Sequence, residues 1–105
     1  MDSILTGHIQ IGDLILISNS NYLTLAFYAG TGRGTLQYYS ADTLSYMHEH
    51  YIEKNKSLPK RPWKSHLNSP HISRTTKYDI NLVTNPDIIE KYQKAIIILK
   101  HYNVI

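Results

Sequence analysis

Residues Tyr22 to Gly30 read Y-L-T-L-A-F-Y-A-G, and their alternation decides the fold class. Leu23, Leu25 and Phe27 fall on one side of the chain; Tyr22, Thr24, Ala26 and Tyr28 fall on the other. A repeat of two belongs to a strand, because successive side chains of an extended chain point to opposite faces. Just upstream, Ile11 to Ser18 (I-G-D-L-I-L-I-S) is a short aliphatic run entered through Gly12-Asp13 and left through Asn19-Ser20-Asn21, the punctuation of a strand between turns. Downstream, Gly30-Thr31-Gly32-Arg33-Gly34 holds three glycines in five residues, enough left-handed backbone for a tight hairpin. Thr35 to Ser40 (T-L-Q-Y-Y-S) is the return strand. Strands over about residues 11–40 therefore form a strongly twisted antiparallel meander.

Beyond the meander the pattern changes. Ser40 or Asp42 can cap a helix carrying Leu44, Met47, Tyr51 and Ile52 on one face; a single helical turn followed by irregular chain fits nearly as well. The stretch over about 53–70 holds Pro59, Pro62 and Pro70 among lysines and serines, and it reads as a long surface loop. About 71–82 alternates well enough for one or two short strands. Asn85-Pro86-Asp87 supplies an N-cap, a proline at the first helical position and an acid in the first turn. The helix expected over about 86–101 puts Ile88, Tyr92, Ala95, Ile96 and Leu99 on one face and closes the core. Ile97 and Ile98 widen that face, and their exposure would point to an oligomer or partner contact.

A chain of 105 residues with this single pattern is expected to be one domain over 1–105. It has no cysteine, which removes disulfides, thiolate metal sites and cysteine nucleophiles together. Met1-Asp2-Ser3-Ile4-Leu5 lacks the basic start and apolar stretch of a signal peptide. The longest apolar runs, Leu14 to Ile17 and Ala95 to Leu99, fall far short of the roughly 20 residues that cross a bilayer. A cytoplasmic protein without membrane contact is expected. The net charge of +3 is mild, but its distribution is not. Lys54 to Lys77 holds seven basic residues and no acidic one, so the rest of the chain is net acidic. Segregated positive charge draws polyanions or acidic protein surfaces.

The order G-D-L-I-L-I, loop, Y-L-T-L-A-F-Y-A-G, glycine turn, T-L-Q-Y-Y resembles the opening of SH3-like small barrels of the Tudor and KOW groups over residues 11–40. The chain also resembles the small accessory proteins of tailed bacteriophages in its length, its Ile/Asn/Lys/Tyr-rich usage and its lack of enzyme motifs. The expected class is thus α+β: a small antiparallel SH3-like barrel, or a strongly twisted sheet, with a C-terminal helix packed on it. The barrel resemblance implies a binding platform and no particular chemistry. The phage resemblance implies a viral protein working in the host cytoplasm.

Two sets of residues stand out as candidate contacts. Lys54, Lys56, Lys60, Arg61, Trp63, Lys64, Arg74 and Lys77, with Arg33 at the hairpin tip, combine phosphate-seeking cations with an aromatic ring that can stack a base. Trp63 can equally pack the loop against the sheet. Tyr28, Tyr38 and Tyr39 are candidates for a ligand-facing aromatic patch; Tyr38 and Tyr39 lie on opposite faces of one strand, so at most one is expected in the core. His48-Glu49-His50 lacks the four-residue histidine spacing that converges on zinc, and no metal or other cofactor is expected. No nucleophile elbow, phosphate-binding loop, dinucleotide fingerprint or paired-carboxylate site is present, so no catalytic residue is assigned and the chain reads as non-enzymatic. The leading expectation is nucleic-acid binding through phosphates. The alternatives are a phage-type protein that inhibits or redirects a host protein through an acidic surface, and sequestration of an anionic nucleotide between subunits by the glycine loop and tyrosines.

Overall fold

Both faces of the central sheet are apolar. In the computed structural model, which describes residues 9–19, 22–32, 35–68 and 79–105, the meander forms as β1 (Leu14–Asn19), β2 (Tyr22–Gly32) and β3 (Thr35–Ser40). Strand β1 pairs with β2 from Leu14↔Phe27 to Asn19↔Tyr22. Strand β2 pairs with β3 from Ala26↔Ser40 to Gly32↔Thr35, with a bulge between Tyr28 and Gly30. Two further strands extend the sheet. β4 (Ser65–Asn68) lies on β3, and β5 (Asp79–Leu82) lies on β1, giving the antiparallel order β4-β3-β2-β1-β5. The two outer strands are opposite edges and do not pair with each other, so the described strands form an open sheet and not a closed barrel. The loop expected to run to residue 70 thus contributes an edge strand from Ser65. Of the strand expected over 71–82, residues 71–78 lie outside the described residues and the rest is β5.

Ser40 ends β3 and begins the next element. Its hydroxyl accepts from the Thr43 N–H and caps α1 (Ala41–Met47), which continues without a break into a π-helical turn over His48–Ile52. The extra residue in that turn shows in the Glu53 N–H, which reaches back to the His48 carbonyl at 3.0 Å. The C-terminal helix is in two parts, α2 (Pro86–Lys91) and α3 (Gln93–His101), where the sequence predicts one. Asn85 caps α2 as expected, accepting from the Asp87 N–H at 2.9 Å. The break falls at Tyr92, whose φ of −108° and ψ of 29° leave the helical region. α3 buries Ala95, Ile98 and Leu99, with Ile88, Tyr92 and Ile96 packed against the same cluster, so Ile98 belongs to the core and Ile97 alone of the pair is exposed.

Asparagine ends two of the helical segments. Asn55 and Asn103 have φ of 55° and 59°. After Asn103, the Val104 N–H reaches the Leu99 carbonyl and the Asn103 N–H reaches that of Lys100. After Asn55, the Lys56 and Asn55 N–H groups reach Tyr51 and Ile52 in the same way. This pair of bonds is the Schellman arrangement, which needs a left-handed residue that asparagine supplies more cheaply than most.

The helices cover one face of the sheet. Leu14, Phe27 and Tyr39 point toward them and pack with Ala41, Leu44, Met47, Ala95, Ile98 and Leu99. On the opposite face Ile15, Ile17, Ala26, Tyr28, Leu36, Tyr38 and Ile80 are also buried, together with Ile9. The continuous Leu14-Ile15-Leu16-Ile17 run records this two-sided burial, since a half-exposed strand would alternate with polar residues. Tyr38 and Tyr39 are therefore both buried, although they face opposite ways. No described helix is long and apolar enough to cross a membrane.

Candidate functional site: a basic loop framed by aromatic rings

The loop from Lys54 to Lys64 is irregular, yet it is tied to the body at four points. Leu58 packs against the helix-side core. The Tyr102 hydroxyl donates to the Pro59 carbonyl. Trp63 meets Tyr46 and Tyr51. The Lys64 ammonium donates to the Gln37 side-chain oxygen at 3.3 Å, joining the loop to β3. Between these ties Lys54, Lys56, Lys60, Arg61 and Lys64 are all exposed. Among the described residues the ion pairs lie elsewhere: His48 and Lys94 with Glu53, and Lys94 with Glu49. The five loop cations thus have no described carboxylate partner.

Four rings form a closed circuit beside this loop. Tyr46 comes from α1, His50 and Tyr51 from the π turn, and Trp63 from the loop. Tyr46 stacks on His50 with centroids 5.2 Å apart and planes within 11°. Tyr46 and Trp63 are 6.4 Å apart at 28°. Tyr51 meets His50 and Trp63 edge to face at 4.8 and 6.3 Å. Tyr46 and His50, four apart along a helical segment, share a face, and Tyr51 follows on the π turn. Tyr51 is half-buried and anchors the group, while Tyr46 and Trp63 stay 51% and 43% exposed.

The remaining sequence candidates fall elsewhere. Tyr28, Tyr38 and Tyr39 are core residues with 7, 6 and 8% exposure, so they do not build an exposed aromatic patch. They are buried because the sheet is covered on both sides. Arg33, Arg74 and Lys77 lie outside the described residues. His48 and His50 part company: the His48 Nδ1 is 2.8 Å from the Glu53 carboxylate, and His50 is in the ring circuit. No group of three or more described histidines and carboxylates is arranged to hold a metal ion. The rings missed by the sequence reading are Tyr46, His50 and Tyr51. The four-residue spacing of Tyr46 and His50 was a usable signal once that segment is helical; their meeting with Trp63 was not.

A second concavity, a cleft of about 330 Å³, opens on the helix side of the sheet. Leu16, Leu25, Val83 and Ile88 line it with Asp42 and Tyr92. Burial first, and then the negative charge of the neighbouring Asp42, push the Tyr92 phenol above its ordinary pKa. With an acid and no cation in its wall, the cleft lacks what an anionic nucleotide requires.

Compared with known proteins, the chain matches no family model, no curated protein and no solved structure.

Proposed function

We propose that this is a non-enzymatic binding protein that holds nucleic acid through the basic loop, chiefly by its phosphates. The observation that supports the reading is the set of five exposed cations on an anchored loop, none neutralised by a described carboxylate. A loop already tied down loses little freedom on binding, so its charge goes into affinity. Each phosphate neutralised releases condensed counterions, which gives affinity without regard to sequence.

Charge reversal tests it. The triple variant Lys60→Glu, Arg61→Glu, Lys64→Glu alters exposed side chains and should keep the wild-type unfolding midpoint. Its binding to a labelled oligonucleotide at low salt is expected to vanish. Unchanged binding would refute the assignment of this loop. Arg61, Trp63 and Tyr46 also have the composition of a protein-binding hot spot, which favours an acidic protein surface as the second reading. A pull-down with and without nuclease separates the two, because a stoichiometric protein retained after nuclease treatment contradicts nucleic acid as the target.

A further inference from the structure

We infer that the ring circuit makes this site selective for unpaired bases, so that its ligand is single-stranded nucleic acid; the inference rests on the nucleic-acid reading above and specifies it. Two large rings that served only to pin a loop would bury their faces against the body. Tyr51 does that part of the work, being half-buried against the helix-side core. Tyr46 and Trp63 instead keep about half their surface open, 51% and 43%, and Trp63 lies within the cationic stretch. Adjacent exposed rings with a polar, cationic rim have the character of a contact site. Its surroundings set the ligand's charge: Lys60, Arg61 and Lys64 flank Trp63 in sequence, so a cationic group is repelled and an anionic one drawn in. An anion that also presents flat π-faces is a nucleic acid strand with its bases exposed. In a duplex the base faces are occupied by neighbouring pairs and only the phosphates remain available. A single strand offers both, and base stacking on aromatic side chains is tolerant of sequence. The rings sit on a helix, a π turn and a loop tied to β3, so the platform needs no folding on binding.

Trp63 is the chain's one tryptophan, so its fluorescence reports this site in the unmodified protein. The probes are an oligothymidylate single strand of roughly 12 nucleotides, within the footprint of single-strand binding folds, an RNA strand of equal length and the matching DNA duplex. Both single strands are expected to quench Trp63 and to bind tighter than the duplex at the same salt. Trp63→Leu keeps an apolar plug for the loop but removes the π-face. It should weaken single-strand binding roughly 5- to 150-fold, the worth of one base stack. The loss for single strands should exceed any loss for the duplex, and Trp63→Phe should recover part of it. Equal affinity for strand and duplex, or a Trp63→Leu variant that binds single strands as wild type does, overturns the inference while leaving a phosphate-binding loop intact. No binding of any of the three probes at low salt overturns both.

Discussion

The indole of Trp63 lies 6.4 Å from the phenol of Tyr46, with their planes 28° apart, and this contact joins the basic loop to the helix layer. Together with the bond from the Tyr102 hydroxyl to the Pro59 carbonyl, it holds Lys60, Arg61 and Lys64 in an ordered frame. Tyr102→Phe removes that bond while keeping the ring. The expected cost is about 0.5–1.5 kcal/mol in global stability. Trypsin should cut after Lys56 and Lys60 faster than in wild type, and limited digestion followed by mass measurement reads this directly. An unchanged cleavage rate would show that the loop is held by its other ties alone.

Gly12 has a φ of 98°, and a β-carbon there would collide with Cγ2 of Ile105. Gly12→Ala is therefore expected to destabilise by roughly 1–3 kcal/mol, through backbone strain and the clash together. Adding Ile105→Ala removes the clash and leaves the strain. Chemical unfolding should show the double variant to be more stable than the sum of the two single changes implies.

Two-sided burial of the sheet has a direct consequence for truncations. Leu44 and Ile17 are both fully buried, one in the cluster beneath the helices and one on the opposite face. Each should cost about 2–5 kcal/mol when changed to alanine. If Ile17→Ala is nearly neutral while Leu44→Ala is not, the second face is open to water and that account of the sheet is wrong.

The π turn is tied to α3 by Glu53, whose carboxylate meets the Lys94 ammonium at 2.9 Å and His48 at 2.8 Å. Hydrogen bonding to Lys94, then to His48, holds the Glu53 pKa below its ordinary 4.5. Hydrogen bonding to Glu53 in turn raises that of Lys94 above 10.5. A depressed acid contributes stability that is present above its unfolded-state pKa and is lost as pH falls through the folded one. A raised amine contributes below its unfolded-state pKa and fails as pH climbs through the folded one. The tie is thus whole from about pH 5 to 10 and weakens on either side. Both groups are exposed, so the effect is small. In Glu53→Gln, amide exchange in residues 48–53 should be faster at neutral pH and less dependent on acidification below pH 5 than in wild type.

What the sequence could convey depended on how local each signal was. The β2 alternation, the Thr35–Ser40 return strand, the Ser40 cap and the Asn85-Pro86-Asp87 start all rest on neighbouring residues, and each stands where it was expected. The π turn and the break at Tyr92 were not legible, since no proline or glycine marks either. Tyr38 and Tyr39 lie on opposite faces, so one was expected outside the core, but both are buried because the sheet is covered on both sides. In the candidate site the cations were plain from their spacing. The rings that frame them come from three separate elements, and only the folded chain brings Tyr46 and Tyr51 to Trp63.

The most direct test of the account is a salt titration of the wild-type protein with a single-stranded oligonucleotide. If three to five of the loop cations neutralise phosphates, the logarithm of the association constant should fall linearly against the logarithm of salt concentration, with a slope of about −2 to −3.5. A slope near zero, or no measurable association even at low salt, would contradict it.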